Sequence, residues 1–307
     1  MLFKQLQLFK LEGNFQPEMI LAQLEALPFK PCLPSMPASA GWVSPIDEEG
    51  EPIARTINGC TMICLQIEEK ILPASVVGLA LKDKVKKLET AEDRKVRKKE
   101  KLSLKEDITQ TLLQRAFVKL TRLYAYIDNR NKWLMLSSVS PSRTEFFVSA
   151  FKKSFGDVLS TIEVTKPSSI LTQWLKDQDY PNVFSVEKSC VLQDPGQQNR
   201  VIRCQQQDLF AGSIQALLKD GCEVIQLGLC WHDRLNFVLA DDFTLRSIRL
   251  AEDDLADMKE DTEGARQQFD AELFMMTEMY TGLMNDLLGV FVGDKEVKPK
   301  QKLALVG

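Results

Sequence analysis

Histidine is nearly absent: His232 is the only one in 307 residues. A multi-histidine metal site is therefore impossible, and a histidine-dependent triad has a single candidate base, which reads as a structural residue. Neither G-x-x-x-x-G-K-[ST] nor G-x-G-x-x-G occurs, so no glycine loop can cradle a phosphate and ATP hydrolysis is not expected. The longest apolar run, ILPASVVGLAL from Ile71 to Leu81, contains Pro73 and Ser75 and falls well short of the ~20 residues that a bilayer requires. The opening MLFKQLQLFKLEG breaks its apolar residues with Lys4 and Lys10, as an alternating strand does and a signal-peptide core does not. Export is not implied, and a cytosolic location is expected. Seven cysteines, an odd number, are scattered at 32, 60, 64, 190, 204, 222 and 230 in a chain too long to need a disulfide framework, and they read as reduced, mostly buried thiols. Cys60 and Cys64 have no second ligand pair beside them, so they read as core and not as zinc ligands.

What is present is a folded chain with one anomaly of charge. Its apolar content of 44% can fill a core divided among two or three domains or lobes. The formal net charge is −4, yet KDKVKKLETAEDRKVRKKEK, Lys82 to Lys101, carries ten Lys or Arg against five Asp or Glu. That local +5 leaves −9 on the other 287 residues. Such asymmetry points to a surface that meets something anionic.

Periodicity outlines the elements. Leu2, Phe3, Leu6, Leu8 and Phe9 give an opening strand, and PEMILAQLEAL a helix with Pro17 at its first position. Pro28, Pro31, Pro34 and Pro37 ahead of Pro45 exclude a long regular element there but permit short edge strands. Asn58-Gly59 before an apolar alternation signals a hairpin. From Pro73 the step changes: Val77, Leu81, Val85 and Leu88 share a helical stripe that fades between Glu89 and Lys101, where only Ala91 and Val96 are apolar, and resumes at Leu104, Ile108, Leu112, Ala116 and Leu120. A helical arm that runs out and back with a charged tip accounts for both halves. Two strands flank Asp128-Asn129, a helix spans Pro141 to Phe155, and sheet follows. A strand pair spans Pro195-Gly196, a short helix stops at Gly221, and three more strands lead to a long terminal helix with Phe269, Leu273, Met276, Tyr280, Leu283 and Leu287 on one face. Residues 293–307 read as a frayed tail.

Two patterns carry chemistry. IEEK, with Glu68 and Lys70 after a strand and Asp47 as an acidic partner, resembles the carboxylate and lysine set of a metal-dependent nuclease. Such triplets also arise by chance in a chain with 27% charged residues. The acidic stretches ADDF at 240 and AEDDL at 251 read as a turn cap and a helix N-terminus. In the basic run, Lys and Glu mix well enough for a solvated helix with internal ion pairs. Yet Arg94-Lys95 and Arg97-Lys98-Lys99 are blocks without acid, and duplex DNA presents about one negative charge per 1.7 Å of its axis. Lys84, Lys87, Arg94, Lys95, Arg97, Lys98 and Lys101, with Arg115 beyond the run, are the candidate DNA contacts. No base-reading element accompanies them, so binding should be indifferent to sequence.

Several motifs in order, namely PFKPC, GWVSP, EEKILPASVV, the basic run, LLQRAF, LTQWL, WHDRLNFVLADDFTLRSIRL and QFDAELFMMTEMYTGLMNDLL, resemble the bacterial recombination-associated RdgC family from the first strand to the terminal helix. The resemblance implies a DNA-binding protein without enzymatic activity or cofactor, a ring-shaped homodimer that encircles duplex DNA, binds single strands as a further substrate and restrains RecA-promoted strand exchange on the nucleoid. It also implies that Arg94 and Lys95 face the DNA channel, that Arg115 and Phe117 lie at the arm tip where two subunits close the ring, and that IEEK is part of the fold. Gln114 stands where the family often has Pro, and Gln205 and Gln206 where it has a basic pair, which implies a less positive channel. Phe117 lies one position off the helical stripe and is expected at the surface as an anchor for another subunit, the alternative being burial within its own.

The expected architecture is α+β: an N-terminal region over 1–72, a basic helical arm over 73–123, a central and C-terminal region over 124–292, and the tail. The alternatives in function are a metal-dependent nuclease and a protein-binding scaffold whose basic arm meets an acidic partner.

Overall fold

In the computed structural model, the structure describes residues 3–48, 50–196, 200–251 and 264–292. Leu2, the AEDDL residues from Glu252 onward and the 293–307 tail lie outside them. The fold is α+β, with two antiparallel sheets, a helical hairpin and a long C-terminal helix.

The first sheet is built on two 12-residue strands, β4 (Cys60–Ile71) and β5 (Phe117–Asp128), paired from Cys60↔Asp128 to Ile71↔Phe117 without a register break. On the outer edge of β4 lie β3 (Ala54–Ile57) and then β2 (Ala38–Val43). The β3–β4 hairpin turns through Asn58 (φ 47°) and Gly59 (φ 74°), the left-handed pair that a tight hairpin demands and that Asn-Gly supplies. Beyond β5 come β6 (Trp133–Leu136), β1 (Gln7–Leu11) and β7 (Leu159–Thr161). One face is covered by α1 (Pro17–Glu25) and α4 (Pro141–Phe155), which enclose Trp42, Ile63, Leu65, Phe147 and Phe151.

The second sheet has the order β12-β11-β10-β8-β9, from β8 (Phe184–Gln193), β9 (Val201–Gln205), β10 (Glu223–Trp231), β11 (Leu235–Ala240) and β12 (Leu245–Leu250). It carries α5 (Pro167–Asp177), α6 (Gly212–Lys219) and the last helix, α7 (Ala265–Phe291). The sheets are stitched together by the residues ahead of β1: Leu6 and Leu245 exchange backbone hydrogen bonds of 2.9 Å, and the Ile248 N–H donates to Lys4 O at 3.0 Å. The expected apolar face of α7 finds its surface between them, with Leu273, Met276, Tyr280, Leu283 and Leu287 buried. Tyr280 Oη donates to Phe3 O at 2.7 Å, and Arg55 Nε to Asp270 Oδ1 at 2.7 Å.

Between β4 and β5 the chain leaves the body as α2 (Ala74–Glu92) and α3 (Lys98–Leu113), which make their principal packing contacts with each other. This is the arm read from the sequence, with one correction. The step of four that ran on to Leu120 ends as helix at Leu113, and residues 117–123 are strand, because their backbone is taken up by β4. Ala38–Val43 is a short edge strand of the kind the proline-rich stretch permits. One further element differs from the sequence reading: α5 replaces part of the sheet expected after Phe155. The first sheet draws strands from both sides of the arm, so the regions before and after it share one core.

Candidate nucleic-acid interface

The arm is a two-helix hairpin with almost no interior. Val77, Val96, Ile108 and Leu113 are its only fully buried apolar side chains, and Leu81, Val85, Leu88, Leu104 and Leu112 are half-buried along the seam. So thin a structure must organise its turn by other means. Asp93 closes α2 in the left-handed conformation (φ 46°). The Val96 N–H then donates to Glu89 Oε1 at 3.0 Å while the Val96 side chain plugs the end of the seam. Arg94 reaches across to α3, its Nη1 and Nη2 each 2.9 Å from an oxygen of Glu100, with Glu92 at 2.6 Å on the other side. The Glu100 hydrogen bonds hold the Arg94 guanidinium well above the usual arginine range, and Arg94 in turn holds the Glu100 carboxyl below the usual carboxylate range.

Around that turn the cations face solvent. Lys84, Lys87, Lys95, Arg97, Lys98 and Lys101 are all exposed, as are Lys82, Lys86, Lys99 and Lys105. Among the described residues, no side-chain ion pair within 4.0 Å engages the lysines of this group. Of the candidate contacts, Arg94 stands apart because its guanidinium is already spent on the turn. Lys82, Lys86 and Lys99, not among the candidate contacts, share the exposed surface, and their place in the basic run is the signal for them; Lys105 lies just beyond the run.

Arg115 and Phe117 are not at the helical tip. Arg115 lies in the turn after α3, its N–H on Leu112 O at 3.1 Å, at the opposite end of a helix about 24 Å long at 1.5 Å per residue. Phe117 opens β5 at 84% exposure, directly across from Ile71 at 51%, while Val118 at 50% and Leu120 at 56% turn to the other face. Burial of Phe117 within its own subunit is therefore excluded, and the apolar surface beside it is broader than one residue. Gln205 ends β9 and Gln206 follows with φ 54°, both exposed.

The nuclease set does not assemble. Glu68 Oε1 accepts the Cys32 N–H at 3.1 Å, and Lys70 Nζ donates to Pro34 O at 2.6 Å and Leu113 O at 2.8 Å. Asp47 takes Arg122 at 2.8 Å. Glu68 and Lys70 thus fasten the proline-rich loop and the end of α3 to β4. Among the described residues no cluster of three or more His, Cys, Asp or Glu could hold a metal ion. His232 sits in the β10–β11 turn, half-exposed, edge-on to Trp231 and 3.7 Å from Asp286. Asp242 caps its turn as expected, accepting from Thr244 N at 3.1 Å. Cys60 and Cys64 are buried, and desolvation raises their thiols to about 11 and about 12, as inert core residues. Among the described residues no helix is long and apolar enough to cross a membrane.

The fold and its exposed basic arm define an α+β chain that presents a concentrated cationic surface with no assembled catalytic centre among the described residues. The family model described as "Putative exonuclease, RdgC" matches residues 1–294, and the chain belongs to the RdgC family. It is 34% identical over 305 residues to the Recombination-associated protein RdgC of Yersinia pestis (strain Pestoides F), covering 96% of this chain and 99% of that protein. The protein of the same name from Yersinia enterocolitica serotype O:8 / biotype 1B is 33% identical with the same coverage. Those relatives are named for recombination and not for an enzymatic activity.

Proposed function

We propose that this chain binds duplex DNA through the backbone phosphates, indifferent to sequence, as a homodimer that encircles the duplex and thereby restrains RecA-promoted strand exchange on the nucleoid. The observation that carries the reading is the concentration of exposed lysines on an arm without a matching number of acidic partners. Neutralising phosphates with them releases condensed counterions, which makes affinity fall steeply with salt and supplies binding without base contacts. No bond is made or broken in this account. The substrate is covered, and a filament is denied access to it.

The family description favours one second reading, a nuclease. Magnesium would have to find carboxylates, but Glu68 and Asp47 are each held by a structural donor. Both readings are tested by titrating unrelated duplexes across a salt series, with and without magnesium. Equal affinities, a steep salt slope and intact DNA support the binding reading. Magnesium-dependent cleavage that purifies with the protein overturns it in favour of the enzyme, and absence of DNA binding at low salt favours a scaffold for an acidic protein.

A further inference from the structure

The outer edge of the first sheet is only half covered. β2 is its terminal strand, and just ahead of it Pro37 O accepts the Lys70 N–H of β4 at 2.8 Å. Backbone groups alternate along a strand, so Ser39, Gly41 and Val43 bond to β4 while Ala38, Ala40 and Trp42 turn their N–H and C=O groups outward. At Trp42 those groups are taken: the N–H donates to Leu27 O at 3.0 Å, and the C=O accepts from the Phe29 N–H at 2.9 Å. The covering segment then leaves the edge, and Lys30 O accepts from the Ser39 hydroxyl at 3.0 Å. Among the described residues no strand or loop pairs with the outward groups of Ala38 and Ala40. Beside this open edge, between β2 and α4, lies a cleft of about 350 Å³ lined by Leu27, Met36, Phe146 and Ala150. The residues of β2 open it. Trp42 reaches into the core, edge-on to Phe147 at 5.7 Å and with Nε1 donating to Ser154 Oγ at 2.8 Å, whereas Ala38 and Ala40 on the same side of the strand stop at a methyl. Leu27 at 39% and Met36 at 44% remain exposed along it. The one charged side chain in the lining is Lys153. Its neighbour Lys152 pairs with Asp157 at 2.6 Å, but among the described residues no ion pair within 4.0 Å engages Lys153.

We infer that this edge and cleft dock an extended peptide segment of a partner protein, one that carries an apolar side chain with a carboxylate close by. Each part of the occupant answers a part of the site. The unpaired N–H and C=O groups of Ala38 and Ala40 call for an extended main chain, which adds to β2 as a further strand and continues the line that Leu27 and Phe29 begin. In an added strand alternate side chains share a face, so one of them enters the cleft against Phe146 and Ala150. The carboxylate meets the ammonium of Lys153 in a charge-assisted hydrogen bond. A compact amphiphile would fill the cleft and pair with Lys153 but make no use of the open edge. The site lies outside the arm, and the inference does not depend on the DNA-binding reading.

The test selects phage-displayed random dodecapeptides on the immobilised full chain and titrates one enriched peptide, labelled with fluorescein, by anisotropy. The parent is compared with Ala40→Pro, which removes an outward N–H without touching the β4 ladder, a position where an edge strand accepts proline, and with Lys153→Glu. The peptide is also N-methylated one amide at a time and titrated on the parent, so that strand addition is read without altering the protein. The expected result is an enriched peptide with an apolar residue near Asp or Glu. Its affinity should fall about tenfold or more in each variant, and on the parent for N-methylation at every second amide. The Lys153→Glu effect should shrink when the peptide's acidic residue becomes its amide. Failure to enrich any peptide overturns the inference, as does an enriched peptide that binds both variants like the parent. Weakening by Lys153→Glu without the two-residue N-methylation pattern overturns the added strand and leaves the cleft to a compact amphiphile. Self-association of the parent that Ala40→Pro abolishes overturns the foreign peptide and gives the edge to a second copy.

Discussion

Arg94 and Glu100 join across the arm's turn through two hydrogen bonds of 2.9 Å, although six residues separate them. The pair holds the start of α3 against the end of α2 where the apolar seam has run out. Arg94, a leading candidate for phosphate contact, is thereby committed to shaping the surface that carries the other cations.

Acid should loosen the tip first. The Glu100 carboxyl is depressed below its ordinary 4.5 by the Arg94 hydrogen bond, so its contribution is fully present above that value and is lost as pH falls through the lower folded value. Amide exchange at Lys101, whose N–H donates to Arg97 O in the first turn of α3, should stay slow from neutral pH to about 4.5, after correction for the intrinsic pH dependence of exchange, and rise below it. Glu100→Gln should remove that acid step. An acid step that survives the substitution would place its origin elsewhere in the arm.

Phe117→Ala should leave the fold nearly as stable as before, within about 0.5 kcal/mol, because the ring buries almost nothing in its own chain. Self-association and lifetime on circular DNA should fall. A large drop in melting temperature with undiminished retention would contradict the exposed position of the side chain.

Lys70→Met should lower thermal stability by about 1–2 kcal/mol, between the scale of a typical hydrogen bond and that of one to a charged group, by freeing the Pro34 and Leu113 carbonyls. It should not abolish any magnesium-dependent cleavage, since none is expected from the parent protein. Cleavage present in the parent and missing from both Lys70→Met and Glu68→Gln would restore a catalytic role to IEEK.

Gly41→Ala should be among the most damaging small substitutions. A Cβ there would collide with the backbone of Phe29, which pairs with Trp42 along the edge of β2. Overpacking against backbone costs about 1–3 kcal/mol or more. Chemical denaturation of the variant against the parent reads the difference, and an unchanged midpoint would contradict the close approach of loop and strand.

The sequence was most legible where a local rule and the tertiary structure agree. Asn58-Gly59 dictated its own turn, and the stripe on α7 needed only a surface to meet. The two arm helices followed from a stripe that fades and resumes. Legibility failed at Leu113–Phe117, where Leu104, Ile108, Leu112, Ala116 and Leu120 step by four across a junction that is helix on one side and strand on the other; only the pairing of β5 with β4 decides it. Helix α5 stands where the sequence reads as sheet, although Pro167 at its start and the buried Leu171, Trp174 and Leu175 have a helical spacing. For the site, charge density identified the arm, but the Arg94 ion pairs lie outside helical spacing and exist only once the turn has formed. The apolar surface around Phe117 required knowing that Ile71 is its cross-strand neighbour.

The most direct test of phosphate binding through the arm is the salt dependence of affinity for three unrelated duplexes, for the parent and for the variant carrying Lys95→Ala, Arg97→Ala, Lys98→Ala and Lys101→Ala. Arg94 is left intact so that the turn survives. Phosphate binding through these cations predicts weaker affinity for all three duplexes by the same factor, and a log–log salt slope flatter by about 0.9 for each phosphate the variant no longer neutralises. An unchanged slope, or a weakening confined to one DNA sequence, would contradict it.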